Sequence, residues 1–494
     1  MEKILRGDIM AKKQSLKLNM VMNVILTMSS LIFPLITFPY VSRVVGAEGI
    51  GKVTFATSVI TYFSMFAQLG IPTYGIRACA KVRDDKELLS KTVHEILIIN
   101  AITCIISYVA LGISLAIVPR FVSDKMLFII IGSTILLNAI GVEWLFKALE
   151  QYTYITIRSI VFKFIALIAM FLLVHNETDY VIYGTVTILA ASASNVLNFL
   201  YLPKLINIKP IGNYNLRQHM KMILIFFAMS VASTIYTNLD NVMLGFMTND
   251  IEVGYYTASV KVKGILVSVV TAVSTVLLPR ASYYVDKGLI KELYGIAQKA
   301  MSFVMLVAIP FVVYFTIYAE ECILLLSGQE FLGAVLPMQV IMPTLLFIGI
   351  TNILGIQMMV PLGKEKQVLY STICGAIVDL ILNAIFIPQY GAVGAAIGTL
   401  VAEFVVLIYQ VIAIKEVVKE VFLGVKYLVV IISAILATIC CVWVKQLQVG
   451  IFLTLLISAI VFFGVYLVGL LLGREKLVID IFKMVLDKVT KKKE

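Results

Sequence analysis

Charged residues are scarce in this sequence of 494 residues, since Asp, Glu, Lys and Arg together make up 14% of it. A soluble domain carries roughly 25% charged residues. The sequence also has only three histidines, and its six cysteines form no C-x-x-C pair. These shortages argue against a zinc site and against a disulfide framework. We therefore expect no metal and no cofactor.

Long polar connections are also missing. No stretch between the apolar runs is long enough for a separate soluble domain, and no nucleophile–base pattern appears. A membrane polymerase or ligase would need a substantial outer loop with acid and base groups, so we expect no catalytic residues. The net charge is +11, but the basic residues lie at the ends of apolar runs. That placement fits lipid headgroups and excludes a nucleic-acid partner.

Apolar residues dominate what is present, at 61% of the sequence. A helix that spans the bilayer needs about 20 mostly apolar residues. Fourteen runs meet this requirement, at 18–42, 53–72, 93–118, 126–149, 154–174, 181–202, 220–246, 253–278, 301–326, 335–361, 368–388, 392–414, 427–444 and 451–472. The sequence thus predicts an all-α polytopic membrane protein with 14 transmembrane helices.

The basic residues alternate between the two sides of the predicted membrane. With a cytoplasmic N-terminus, the inner segments hold 33 Lys and Arg residues and the outer connections hold 5. Cytoplasmic loops carry such an excess, so both termini are expected in the cytoplasm and the chain in a bacterial inner membrane. Residues 1–17 form a basic cytoplasmic segment. Residues 473–494 are expected to form an amphipathic interfacial helix and a basic tail.

A faint repeat relates the two halves of the chain. The pattern Q-x-x-Y-x-T-I begins at Gln151 and again at Gln367, and two shorter echoes have similar offsets. An offset of six helices predicts two pseudo-symmetric six-helix bundles that enter the membrane from the same side. The N-lobe would cover 18–219 and the C-lobe 220–414, with two C-terminal helices in 415–472.

Three stretches resemble a known transporter family. They are FPYVSRVVGAEGIG at 38–51, WLFKALEQY at 144–152 and DLILNAIFIPQYGAVGAA at 379–396, which is followed by Glu403. They are similar to the polysaccharide-transporter branch of the multidrug/oligosaccharidyl-lipid/polysaccharide exporter superfamily. The resemblance implies two lobes around a central cavity and alternating access. It also implies a flippase for undecaprenyl-pyrophosphate-linked oligosaccharide repeat units.

The same resemblance implies partners for the protein and leaves a second function open. Expected partners are the lipid-linked oligosaccharide, membrane lipids, a polysaccharide polymerase and glycosyltransferases. The alternative is a cation-coupled exporter of drugs or of another lipid-linked glycan such as lipid II. The drug-exporting branch has an acidic residue in its first helix, which is absent from the first predicted helix of this sequence. The lipid II branch has an Arg-Asp pair where Thr37 and Phe38 stand in this sequence.

Basic residues inside the apolar runs are candidates for contact with the pyrophosphate, because an anion in hydrocarbon needs compensation. Lys261 and Lys263 are about 200° apart on one helix, so we expect Lys263 to face the cavity and Lys261 to snorkel or to pair with Asp240. Lys163 is the matching candidate in the first half, and structural ion pairing is the alternative for these lysines. For Arg158 and Arg43, snorkelling and interfacial anchoring are simpler than substrate contact.

Acidic residues inside the runs are candidates for ion coupling. Asp379 and Glu403 are both near the middle of their predicted helices, and Asp240 is a further acidic residue within a run. Carboxylates at that depth are costly unless they are protonated, paired or ion-bound. Coupling to protons or sodium is one interpretation of these groups, and hydrogen bonding to Asn383 and neighbouring helices is the simpler structural one. A purely structural scaffold would have no need for such groups.

Overall fold

The computed structural model describes residues 16–272, 274–422, 427–447, 449–480 and 482–483. The predicted basic N-terminus therefore lies almost wholly outside the described residues. The predicted interfacial helix is helical over 476–480 and 482–483, and the basic tail lies outside the described part.

Every secondary-structure element in the described residues is helical, which confirms the all-α prediction. The α-helices, numbered in chain order, are α1 Leu16–Gln68, α2 Ile71–Lys81, α3 Lys86–Ile117, α4 Pro119–Ser123, α5 Lys125–Gly141, α6 Glu143–Ala148, α7 Tyr152–Leu173, α8 Tyr180–Ile188, α9 Asn195–Leu205, α10 Arg217–Met247, α11 Asp250–Thr271, α12 Ser274–Asp286, α13 Ile290–Ile317, α14 Ala319–Leu326, α15 Val335–Ile341, α16 Thr344–Thr351, α17 Glu365–Tyr390, α18 Ala392–Ala413, α19 Lys415–Phe422, α20 Tyr427–Val442 and α21 Ile451–Leu472. Short 3₁₀ segments lie at Glu177–Asp179, Gln329–Ala334 and Trp443–Leu447, and π-helical segments at Leu189–Ala193 and Asn352–Met359.

The number of candidate spans differs from the predicted 14. The described residues contain 12 helices long and apolar enough to cross a membrane, or 13 with the bent pair Gln329–Ile341 and Thr344–Met359. One of the 12 is the 64-residue run Leu18–Lys81, which contains the first two predicted spans and is interrupted by non-helical backbone at Gly46 and at Leu69 and Gly70. A helix of that length measures about 96 Å, well beyond a hydrocarbon core of about 30 Å. The two predicted spans are therefore two helices that meet at the kink of Gly46, with no loop between them.

The break inside α1 falls in the first of the three family stretches. Gly46 has φ 73° and ψ 179°, which is a non-helical conformation within the helix. A residue with a side chain rarely adopts this positive φ, so glycine is required at the kink. Three residues later, a Cβ on Gly49 would lie 3.1 Å from Cβ of Tyr180 and would collide with Val45. The glycines of this stretch therefore form a break in α1 and let it approach α8.

The chain divides into two compact units, Met1–Phe246 and Met247–Glu494. In the first unit, α1 packs against α3, α5, α7 and α8. A buried cluster that includes Val93, Ile96, Trp144 and Phe146 joins α3 to the short helices α2 and α6. The boundary between the units follows α10, whereas the sequence predicts a lobe boundary before it. The assignment of lobes stays a prediction.

In the second unit, the last two long helices pack against α13. Tyr314 on α13 donates to Leu455 O at 3.0 Å, and Tyr466 on α21 donates back to Leu306 O at 3.0 Å. Both rings lie in a buried cluster with Phe462. Helices α20 and α21 are therefore an integral part of this unit, held by buried aromatic rings whose hydroxyls are hydrogen-bonded.

The hairpin of α17 and α18 contains the third family stretch. Gly391 separates the two helices with φ 53° and ψ −128°. The Glu252 carboxylate on α11 lies directly against Gly391 and accepts a 2.6 Å hydrogen bond from Ala392 N. Gly394 lies against the Phe386 carbonyl, and Gly398 against Asn383. This stretch is therefore a close helix crossing in which small residues leave no room for a Cβ.

We expect Gly391→Ala to lower the free energy of unfolding by about 2 kcal/mol. The alanine would have to adopt a left-handed conformation, and its Cβ would displace Glu252 from the end of α18. A denaturant titration in detergent micelles measures the change. Gly464→Ala is the matched control, because no atom lies within 4 Å of a Cβ at Gly464. Equal stability of the two variants would contradict the packing role of Gly391.

Candidate functional site

A polar cavity of about 440 Å³ lies within the first unit. The described residues that line it include no charged side chain and are rich in hydroxyl and amide groups. We call it the hydroxyl cavity, and its polar residues are Thr57, Thr61, Ser64, Gln68, Thr134, Asn138, Thr187, Ser192, Ser230 and Thr234. Such groups in an apolar bundle favour a guest, or water, that can hydrogen-bond. The sequence alone does not reveal this cavity, because single Ser and Thr residues are common in apolar runs.

Arg158 lies behind the wall of the hydroxyl cavity. It is only 5% exposed, so it does not snorkel as the sequence suggested. Its Nη1 donates to Ser194 O at 2.9 Å and to Asn195 Oδ1 at 3.1 Å, and its Nη2 lies 3.6 Å from Glu143 Oε2. Asn195 in turn donates to Asn138 on the cavity wall at 3.2 Å. These polar partners stabilise the guanidinium of Arg158 in its buried position. Arg158 in turn positions the cavity wall through Asn195.

Lys163 lies on the face of α7 that meets α1. Its ammonium donates to the hydroxyls of Ser29 and Ser30, at 2.8 Å in each case. It is eleven residues from the start of α7, about 16 Å along the helix axis and near mid-span. Arg43 is exposed on α1, where its guanidinium donates to Pro39 O one turn earlier. The structure therefore does not bring Lys163 and Arg158 together, and it does not bring Arg43 to either.

Lys261 and Lys263 occupy α11 in the second unit, and both side chains are half-buried. Their positions differ by two residues, so they point to different sides of the helix. On the same helix, Tyr256 forms a 2.8 Å hydrogen bond with Thr399 of α18. Helix α11 is thereby fixed to α18, which contains Glu403. The roles of the two lysines stay predictions.

The predicted coupling residues are buried near the middle of long helices. Asp379 on α17 is 3% exposed and Glu403 on α18 is 7% exposed. Gly398 lies between them in the chain, and a Cβ there would approach Asp379 Oδ1 to 3.1 Å. Asp240, on α10 in the first unit, is also buried. Asp379 and Glu403 thus belong to one helical hairpin, and Asp240 is on a separate element.

The predicted repeat gives Lys163 and Asp379 matching positions. Lys163 lies twelve residues after Gln151, and Asp379 lies twelve residues after Gln367. Gln151 precedes the first residue of α7, and Gln367 is the third residue of α17. Each half of the chain therefore places one ionisable side chain near the middle of the equivalent helix, and the two have opposite charge.

The second family stretch, 144–152, is structural. Trp144 packs so closely on Gly75 that a Cβ there would lie 2.6 Å from the indole. Lys147 forms the predicted i,i+4 ion pair with Glu143 at 2.8 Å. Glu150 binds Arg83 at 2.7 Å, and this hydrogen-bonded carboxylate raises the pKa of the Arg83 guanidinium above its usual value. Both of these ion pairs lie at helix ends, and their structural role explains them without a substrate.

A buried hydrogen-bonded cluster in the first unit was missed from the sequence. His219 at the start of α10 binds Glu95 of α3 at 2.7 Å and also pairs with the Tyr74 hydroxyl of α2. Glu95 is 1% exposed and accepts two more hydrogen bonds, from Asn215 N at 2.7 Å and from Gln218 at 2.8 Å. The residues are far apart in sequence, so no spacing could reveal them. The cluster fixes the beginning of α10 to α2 and α3.

We expect Tyr74→Phe to lower the free energy of unfolding by about 1 kcal/mol, because it leaves a buried histidine nitrogen without its hydroxyl partner. Thermal unfolding in detergent measures this loss. Tyr370→Phe removes a hydroxyl from a ring that is 50% exposed and serves as the control. A Tyr74→Phe variant as stable as the control would show that this hydrogen bond contributes nothing.

Proteins of known description are similar to most of this chain. The "Putative O-antigen transporter" of Escherichia coli (strain K12) is 23% identical over 399 residues, 80% of this chain and 95% of that protein. A protein of the same description from Shigella dysenteriae is 25% identical over 398 residues, 78% of this chain and 96% of that protein. Among solved structures, "Lipid II flippase MurJ, inward closed conformation" aligns with a TM-score of 0.75 at 16% identity. That alignment covers 93% of this chain and all of the other.

The helical fold with its long apolar spans is that of a multi-pass membrane protein, and it is shared with the lipid II flippase structure. Residues 16–285 match the family described as "Polysaccharide biosynthesis protein". The chain belongs to this family. The resemblance noted from the three stretches is therefore confirmed.

Proposed function

We propose that this protein is a flippase that moves undecaprenyl-pyrophosphate-linked oligosaccharide repeat units from the cytoplasmic to the outer leaflet by alternating access. Membership of the polysaccharide biosynthesis family carries the proposal. The names of the relatives support it, since they describe transporters of O-antigen and a flippase. The products are capsule, O-antigen or exopolysaccharide, and the protein acts as a transporter and not as an enzyme.

The hydroxyl cavity supports a glycan headgroup as the cargo. Sugars present many hydroxyls that must exchange water for other hydrogen-bond partners when they enter the membrane. Uncharged Thr, Ser, Asn and Gln side chains provide such partners without placing a charge in the cavity. The pyrophosphate needs cations in addition. We assign that role to Lys163 and Lys263, with Lys261 and Arg43 as secondary candidates and Arg158 acting through the cavity wall.

The energy for transport is proposed to come from protons or sodium ions. Asp379 and Glu403 are buried in one hairpin, and a carboxylate in hydrocarbon can exchange a bound cation as its surroundings change. Asp240 is a further candidate on α10. Among the described residues, no group of three or more His, Cys, Asp or Glu side chains could hold a metal ion. We propose no cofactor beyond the coupling ion.

The flippase would act in the bacterial inner membrane, with both termini in the cytoplasm. Glycosyltransferases would supply its substrate and a polysaccharide polymerase would use its product. Lipid II is the alternative cargo, because the fold is shared with a lipid II flippase. In this chain, however, Thr37 and Phe38 stand where the lipid II branch has its Arg-Asp pair, and neither is charged. Phe38 is buried, and the Thr37 hydroxyl donates to Phe33 O of the same helix.

Deletion of the gene tests the proposal in the cell. Lipid-linked repeat units should accumulate in the inner leaflet, and surface polysaccharide should disappear until the gene is restored. Normal surface polysaccharide in the deletion strain would contradict the proposal. Accumulation of lipid II instead would show that the alternative cargo is the correct one.

A further inference from the structure

A second cavity, separate from the hydroxyl cavity, opens between α1 and α7. It is a groove of about 300 Å³, and nine of its eleven lining residues are apolar. Met28, Ile32 and Ile36 follow at four-residue spacing on one face of α1, and Ile160, Phe164 and Leu167 share one face of α7. Ile32 is 51% exposed and Phe164 is 61% exposed. The groove is therefore an open apolar slot between two packed helices.

Lys163 is the one basic residue among the described residues that line this groove, and Ser29 is the other polar residue. The ammonium is held at 2.8 Å by Ser29 and by Ser30. Within the described part of the chain, no carboxylate lies within ion-pair distance of Lys163, and Glu143 acts on it electrostatically from beyond that distance. A lysine near mid-span is costly unless an anion compensates it. The groove therefore combines an apolar track with a cation that two neutral hydroxyls keep in place.

We infer that this groove binds the isoprenoid end of the lipid-linked substrate, with the chain on the apolar faces of α1 and α7 and the pyrophosphate at Lys163. This inference rests on the proposed function. The groove matches a ligand in which a hydrocarbon chain is joined directly to an anion. Branched apolar side chains suit the methyl-branched chain, and the ammonium suits the pyrophosphate.

The depth of Lys163 selects this lipid over an ordinary phospholipid. A resting phospholipid keeps its phosphate at the interface, whereas Lys163 lies about 16 Å along α7, near the middle of a core about 30 Å thick. Only a lipid whose headgroup crosses the membrane brings its phosphate to that level. An open slot lets the chain remain in hydrocarbon while the headgroup passes. The groove thus holds the lipid at an intermediate position on its path across the membrane.

Binding of undecaprenyl pyrophosphate to the full chain in lipid nanodiscs tests the inference. Ile32→Trp fills the groove and Lys163→Met removes the cation, and each should weaken binding at least tenfold. Lys163→Arg should retain binding. Leu172→Trp is the matched control, since Leu172 is on α7, is 67% exposed and does not line the groove. Ile36→Trp, at a half-exposed position, replaces Ile32→Trp if that variant does not fold.

Flipping of the glycan-bearing lipid is measured with the same variants in vesicles. If the wild type flips its cargo and the groove variants bind and flip equally well, the groove inference is overturned while the proposed function stands. If the wild type does not flip, the proposed function falls and the inference falls with it. Equal displacement of bound undecaprenyl pyrophosphate by phosphatidylglycerol would show a general lipid surface and would also overturn the inference.

Discussion

Replacement of Arg158 by leucine should lower the free energy of unfolding by about 3 kcal/mol, because two buried acceptors, Ser194 O and Asn195 Oδ1, lose their charged donor. The variant removes the donor to Ser194 O and Asn195 and one of the two cations near Glu143. Surface polysaccharide should fall as well, since Asn195 would no longer hold Asn138 at the wall of the hydroxyl cavity. Denaturant titration in detergent gives the stability change.

Lys147→Leu is the control for this prediction. Lys147 binds the same Glu143 at 2.8 Å, but its side chain is 33% exposed. Exposed ion pairs contribute roughly 1 kcal/mol or less. The loss should therefore be about three times larger at Arg158 than at Lys147. If both variants lose the same small amount, Arg158 does not hold the cavity wall in place.

Replacement of Asp379 by asparagine should slow flipping at least tenfold and should abolish its dependence on a proton or sodium gradient. Asparagine has nearly the same shape, but it cannot bind and release a cation as a carboxylate does. Folding should be unchanged or improved, because the amide removes a potential buried charge next to Gly398 and Asn383. The initial flipping rate in vesicles with an imposed gradient measures the effect.

Glu365→Gln provides the comparison on the same helix. Glu365 is the first residue of α17 and is exposed, so its neutralisation should leave the rate and the gradient dependence unchanged. Full flipping by Asp379→Asn, with the wild-type response to both gradients, would remove Asp379 from the coupling mechanism. Glu403 would then be the remaining candidate in this hairpin.

The sequence was informative about the helices because the period and length of apolar runs are local properties. It could not show that the first two spans are joined at a kink, since the break depends on the positive φ of Gly46 and not on a polar loop. The division into two compact units after Phe246 depends on which helices pack together, which is not a local property of the sequence. The motif at 379–396 indicated the family before its glycines could be explained as a close helix crossing.

The candidate site was harder to predict from the sequence, because its geometry depends on residues that are far apart in the chain. Mid-helix charges singled out Asp379, Glu403 and Lys163, which are buried or half-buried in their helices, and their roles stay predictions. Arg158 was misjudged, since its nearness to the end of an apolar run suggested the surface while Glu143 and Asn195 hold it inside. The cluster of Tyr74, His219 and Glu95 and the hydroxyl cavity bring together residues from helices far apart in the chain.

The most direct test of the proposed transport is flipping by the purified protein in vesicles. Undecaprenyl pyrophosphate with a labelled oligosaccharide is placed in the inner leaflet, and a glycosidase that cannot cross the membrane is added outside. We expect the label to become accessible to the glycosidase only in vesicles that contain the protein, and more slowly with Lys163→Met. Label that stays as protected as in protein-free vesicles, although the protein is folded and inserted, would contradict the proposed flippase activity.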